Sequence, residues 1–321
     1  MGDEQQTNEA RSTLTEPGVV LAPKTGIFIG KDGLRAGWRL LIYFLIIIGC
    51  SIAINIALRL IAGPPSRGTP GVWSLLLQEA VGFALAFGGA VIMSRIEQRP
   101  LGVYGLPGIE IFGGKFWLGF LFGLLEITLL MGLISAFGGY TFGTLALHGK
   151  GIFLWGLFHL ALFTVVGLYE EFLFRGYTQF TLGDGIGFWP AAVVLSVLFG
   201  ATHLANPGEG IVGAASVVVI GLFWCFTLKR TGNLWYAVGL HASFDWGETY
   251  LYSVPNSGIV MQGHLSNAVL QAGPKWLTGG TVGPEGSVFC FLTIGLQFLV
   301  VMWLFPAKKS EPVAETALPQ T

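Results

Sequence analysis

Charge is what this sequence lacks most. Lysine, arginine, aspartate and glutamate make up 11% of the chain, while hydrophobic residues make up 53%. The mean hydropathy is +0.68. Water-soluble domains carry roughly a quarter charged residues, so this balance points to a bilayer. Neither sign dominates: the net charge of -1 leaves nucleic acid without the basic surface it needs. Cysteine is nearly absent too. Cys50, Cys225 and Cys290 lie far apart in apolar stretches with no C-x-x-C spacing, which excludes a disulfide framework and a cysteine-rich zinc site. No repeat of fixed period occurs, and no glycine-rich phosphate loop. No short apolar core follows a basic patch as in a cleaved leader, because the first apolar run, Ala36–Ala62, is too long. It reads as a retained span.

What is present is a series of long apolar runs. Eight approach the roughly 20 residues that a spanning helix requires: Ala36–Ala62, Val72–Ser94, Lys115–Gly138, Gly151–Phe180, Phe188–Leu204, Gly210–Leu228, Leu234–Tyr252 and Ser287–Phe305. Turn signals such as Gly63-Pro64-Pro65, Asn206-Pro207-Gly208 and Thr231-Gly232-Asn233 separate several of them. The expected fold is all-α, a polytopic membrane helix bundle of about eight transmembrane helices. Residues 1–35 read as a polar, disordered tail, 36–306 as one membrane domain, and 307–321 as a second short tail. The connection from about Ser253 to Gly286 is long enough to be functional or partly re-entrant. Many of the 48 glycines fall inside spans, where small residues let helices approach closely.

Basic residues set the direction. Lys24, Lys31, Arg35 and Arg39 precede the first span; Arg95, Arg99 and Lys115 lie between the second and third. Lys229 and Arg230 join the sixth to the seventh, and Lys308 and Lys309 follow the last. The opposite connections hold only Arg67, Lys150 and Lys275. Both termini are therefore expected in the cytoplasm.

Within this apolar background, three constellations stand out. Glu170, Glu171 and Arg175 end the fourth run; Glu171 and Arg175 are four apart and share a helix face, which leaves Glu170 free to face another partner. Charge at such depth costs about 2.5–3.5 kcal/mol per residue, so a chain that keeps it generally uses it. Phe199 and His203 share a face near the end of the fifth span. His241 and Asp245 share one in the seventh, with Glu248 near the same stripe. Measured from the cytoplasmic ends, Glu170 lies roughly 15 Å deep, His203 roughly 22 Å, and His241 and Asp245 roughly 11 and 17 Å. Those depths overlap. The four side chains are expected around one wet cavity open to the cytoplasm. Glu79 and Glu126 are weaker candidates for its lining, and His159 reads as a hydrogen-bonded core residue.

The order Glu170-Glu171-x-x-x-Arg175, Phe199-x-x-x-His203, His241-x-x-x-Asp245 resembles the CPBP family. These are the CAAX-processing and bacteriocin-processing intramembrane proteases, also called Abi proteins. The resemblance covers about residues 150–250. It implies an endopeptidase that cleaves near the cytoplasmic side of the membrane, with Glu170 as general base on water and His203 holding that water. His241 and Asp245 would sit at the oxyanion, and Glu171 and Arg175 would fix the geometry. Asp245 stands where eukaryotic CAAX endopeptidases tend to carry asparagine, and an ionised aspartate cannot donate a hydrogen bond. It is then protonated, orients His241, or binds a metal. Glu170, His203, His241 and Asp245 would also make a nitrogen and oxygen site for Zn2+ with an open position, so metalloprotease and metal-free glutamate peptidase both stand. The implied partners are membrane lipid and a peptide or protein substrate, membrane-anchored or not. The implied location is a bacterial plasma membrane. The competing functions are an ion- or proton-coupled transporter and a non-catalytic immunity or scaffold protein.

Overall fold

A computed structural model describes residues 26–30, 33–63 and 71–307. Most of the expected N-terminal tail, Arg67 and the residues from 308 onward lie outside the described residues. The protein is a helical bundle: α1 (Ala36–Ala62), α2 (Val72–Glu97), α3 (Gly114–Ala136), α4 (Lys150–Arg175), α5 (Tyr177–Ile186), α6 (Phe188–His203), α7 (Ile211–Thr231) and α8 (Trp235–Trp246). A short α9 (Lys275–Thr278) and α10 (Val288–Leu304) complete it. Two small antiparallel ladders pair Ile29–Gly30 (β1) with Gly33–Leu34 (β2), and Tyr140–Thr141 (β3) with Val269–Leu270 (β4).

Each of the eight apolar runs contains a helix, but they differ in reach. Among the described residues, five helical segments are long and apolar enough to cross a membrane, counting 150–186 as one. The helices of the fifth, seventh and eighth runs have 16, 12 and 17 residues and fall short of a full span. A π-helical turn, Gly247–Leu251, prolongs α8. The fourth run is also broken: α4 stops at Arg175 and α5 restarts at Tyr177. A side chain at Gly176 would collide with the carbonyl and ring of Phe172, so glycine permits the break. Large apolar side chains face outward along α1, among them Leu45, Ile48, Ile52 and Ile56. That is the surface a lipid solvent selects.

The bundle has two distinct ends. At one, buried Arg39 pairs with Glu97 and, at 2.9 Å, with Asp184, which also binds Arg99 at 2.6 Å. Tyr177 and Tyr104 donate to Glu97 at 2.5 and 3.0 Å. Nearby, Glu110 meets Lys115 at 2.8 Å and Asn233 at 2.9 Å. Arg95, Lys229 and Arg230 fall at the same end, so it is basic. The other end is made of 137–149, 204–210 and 252–287, tied by the β3–β4 ladder and by Tyr140 donating to the Tyr252 carbonyl at 2.9 Å.

Glycine sets the approach of α3 to α8, which run side by side in the same direction. A Cβ at Gly119 or Gly123 would run into the carbonyl oxygens of Tyr236 and Leu240, and one at Gly239 into that of Phe116. Backbone touches backbone there, which fixes α8 in depth and rotation. Gly132, on the same α3, has open space around it. Overpacking costs about 1–3 kcal/mol, so Gly239→Val should lower the melting temperature in detergent by several degrees, while Gly132→Ala should leave it unchanged or raise it.

Candidate active site

Glu171 sits at the centre of the bundle with no solvent exposure. Its Oε1 accepts from Arg175 Nη1 at 3.4 Å, one helical turn along α4, and faces His241 Nδ1 on α8 at 3.1 Å. A carboxylate only accepts, so His241 donates through Nδ1 and its Nε2 is turned the other way. The Arg175 guanidinium lies 4.2 Å from the ring centroid of Phe199 on α6 and 5.1 Å from that of Trp224 on α7. Trp224 in turn stacks on the His241 ring, centroids 4.5 Å apart and planes inclined by 14°. Gly221 makes room for the guanidinium, since a Cβ there would come within 2.5 Å of Nη2. Four helices are thus joined through one buried ion pair and two aromatic faces. Removing one member of such a pair strands a charge in the apolar interior.

The other face of this cluster is chemically open. His241 Nε2 lies 3.4 Å from Asp245 Oδ2, four residues on, and 3.8 Å from Glu170 Oε2. His203, the last residue of α6, packs its ring against Phe199 at 4.6 Å and donates Nδ1–H to the Phe199 carbonyl at 2.9 Å. In the neutral ring that leaves Nε2 as a bare acceptor. Phe199 therefore serves Arg175 on its face and His203 at its backbone. Glu170, His203, His241 and Asp245 all line one cavity of roughly 370 Å³.

Other acids share that cavity. Glu79 from α2 and Glu126 from α3, the weaker sequence candidates, line it, as does Glu248 in the π-helical turn. Both carboxyl oxygens of Glu126 and the Oε1 of Glu248 lack a hydrogen-bond partner among the described residues. Glu285 lines it as well and escaped the sequence reading, because it is a lone acid among glycines and prolines in the long connection. Its carboxyl accepts from the Ser257 backbone amide, and burial pushes it above the usual carboxylate range. Asn206 and Asn256, equally unmarked in sequence, complete the polar wall. Among the described residues, no lysine or arginine lines it. His159 stands apart: it is buried, donates to the Trp155 carbonyl at 2.9 Å and stacks near Tyr250.

Two expectations change. The depth counts put the four side chains at a common distance from the basic end, taken as cytoplasmic by the charge rule. The cavity's lining instead comes from the middle of the bundle and from the opposite end, including the Asn206 turn and the connection bearing Asn256, Ser257 and Glu285. Depth estimates along single helices missed this, because α4 starts further out than α2 and stops near mid-bundle: Trp73 meets Phe158, and Gly82 meets Tyr169. The zinc reading also fits poorly. Among the described residues, no three histidine, cysteine or acidic side chains are arranged to hold a metal ion.

Residues 153–247 match the model of the Rce1-like type II CAAX prenyl endopeptidase family. That stretch runs from α4 through α8 and contains Glu170, Glu171, Arg175, Phe199, His203, His241 and Asp245. No curated protein and no solved structure matches the chain. Through this stretch the chain is similar to the Rce1-like type II CAAX prenyl endopeptidases, in keeping with the CAAX-protease resemblance of its three motifs.

Proposed function

We propose that the protein is an intramembrane endopeptidase in which Glu170 acts as general base. One observation carries the reading: Glu170 Oε2 faces His241 Nε2 at 3.8 Å across a cavity that also holds His203. At that separation a single reacting group beside the pair comes within hydrogen-bond reach of both atoms. Water held between Glu170 and His203 Nε2 loses its proton to Glu170 as its oxygen bonds to the scissile carbonyl carbon. His241, as the imidazolium that gives Nδ1–H to Glu171, donates Nε2–H to the carbonyl oxygen as that oxygen gains charge. Glu170 then hands its proton to the departing amide nitrogen as the C–N bond breaks.

Asp245 has an orienting role. As an acceptor at 3.4 Å it steers the His241 ring from one side while Glu171 holds it from the other. Arg175 and Phe199 are positioning residues that keep Glu171 and His203 in place. No step here runs through a metal ion. The motif-bearing stretch, about 150–250, is the catalytic part of a single membrane domain. Its substrate is a peptide or protein in or at the membrane, and a bacterial plasma membrane is the setting we favour.

Purified protein with a labelled peptide library tests the assignment. A positioned base contributes about 10²–10⁴-fold, so Glu170→Gln should reduce cleavage by that much, while Glu126→Gln should retain most of it. Equal activity of Glu170→Gln and wild type would refute the role. Ion uptake by sealed vesicles with no cleavage would favour the transporter. Cleavage should also survive a metal chelator; full loss on chelation, restored by zinc, would overturn the metal-free chemistry. For the buried pair, Arg175→Met should destabilise the protein by about 3–5 kcal/mol. The double variant Glu171→Leu/Arg175→Met should recover much of that loss in a detergent melt.

A further inference from the structure

Two of the cavity acids take no part in the proposed chemistry. Glu248, in the π-helical turn that prolongs α8, and Glu285, in the connection before α10, are 1% and 9% exposed. Their carboxyl groups lie within hydrogen-bond reach of each other. Gly283 shows how tightly they converge. A Cβ on that residue would fall within 3.1 Å of three oxygens at once: Glu248 Oε1, Glu285 Oε2 and the Pro255 carbonyl. Its φ of +126° is a conformation that glycine adopts readily and other residues do not. All three oxygens are acceptors, and neither carboxyl oxygen has a donor among the described residues.

Two buried carboxylates so close repel, and one proton held between them removes the conflict. The backbone answers the pair only in part: the Ser257 amide donates to Glu285 Oε1, and the Ser216 hydroxyl of α7 donates to the Glu285 carbonyl at 2.7 Å. The other ionisable groups about the pair are Asp245 on α8, Glu126 on α3, Glu170 on α4, Cys290 on α10 and His203 at the end of α6. His241 is turned to Glu170, Glu171 and Asp245 instead. The stem of Lys275 on α9 lies along Gly280, and the residue does not line the cavity. The arrangement is one donor short, and an O–H on one carboxyl supplies it in a charge-assisted bond to the other.

That bond would hold more than two side chains. Asn256 and Ile259 exchange backbone bonds of 3.0 and 2.8 Å around the Ser257-Gly258 turn. Through Ser257 the turn hangs from Glu285, and Gly258 N–H donates to the Val282 carbonyl at 2.7 Å. Val254 N–H donates to the Glu248 carbonyl at 3.1 Å. The cavity-lining part of the long connection is thus hung on Glu285, and Glu285 on Glu248. We propose that Glu248 and Glu285 share one proton, and that this proton clamps the 252–287 connection against the end of α8 as a wall of the cavity. The inference does not rest on the peptidase reading. The closed wall holds a proton that the open wall, with both carboxyls in water, gives up. Closure is therefore complete at low pH and is lost as pH rises through the range of the pair.

Cys290 reports the opening, because it lines the cavity from α10 and is 4% exposed. In a Cys50→Ala background, Ile109→Cys places a reference thiol at a site 96% exposed, which corrects for thiolate formation. Purified protein in detergent is labelled with a water-soluble maleimide from mildly acid to alkaline pH, and each site is quantified by mass spectrometry. The labelling rate at Cys290 divided by that at the Ile109→Cys site should climb by up to about tenfold per pH unit, the limit for release of one proton. In Glu285→Gln, and equally in Glu248→Gln, the ratio should stay flat, since the amide donates to the remaining carboxylate at every pH. A flat ratio in the parent protein overturns the inference, as does a climb that persists in both variants. Protection at high pH that requires sodium also overturns it, because a metal cation would then hold the oxygens together. Loss of the folded state in both glutamine variants counts against it too, because an amide can replace a protonated carboxyl.

Discussion

The buried contact between Glu171 and its two partners, Arg175 and His241, is the constraint on which the site depends. A carboxylate with no solvent exposure is tolerated at mid-bundle only because a guanidinium and an imidazole answer it from different helices. Satisfying that one group dictates much else. Arg175 must be flanked by something that accepts a cation without hydrogen-bonding it, and the faces of Phe199 and Trp224 do so. His241 must present Nδ1 inward, which turns Nε2 toward Glu170 and Asp245. The reactive side of the histidine is thus selected by the structural side.

Depth is secured by backbone rather than by side chains. α8 lies against α3 through glycines whose replacement would strike carbonyl oxygens, so His241 cannot slide along the bundle axis without unpacking the helix pair. The π-helical turn that follows α8 turns Glu248 into the same cavity. π-Helical turns concentrate at functional sites because they re-aim side chains at a local cost. The long connection after it is part of the cavity wall: Asn256, Ser257 and Glu285 all line the space next to Glu248. An acidic, sparsely compensated cavity is the consequence.

Much of this was legible in the sequence for physical reasons. Apolar runs near 20 residues force helices in lipid, so all eight produced one. The three motifs were readable because an ionisable residue in such a run is costly and therefore conspicuous. His159 was correctly separated from them as a carbonyl-bonded core residue. Less legible was anything set by the packing of helices against each other. The break at Gly176 depends on the carbonyl and ring of Phe172. Glu285 carries no local signal at all, since only the fold of a glycine- and proline-rich connection brings it to Glu248. Which helix ends line the cavity was not legible for the same reason. Residue counting assumes that helices start level, and α4 does not start level with α2.

The most direct measurement is a double-mutant cycle on kcat/KM between Glu171 and His241. If Glu171 acts by holding the His241 ring, Glu171→Gln should cost little once His241→Gln is already present, so that the double variant is about as impaired as His241→Gln alone. Losses that multiply independently would show that Glu171 does not work through His241, and the account of the site built on that contact would fail.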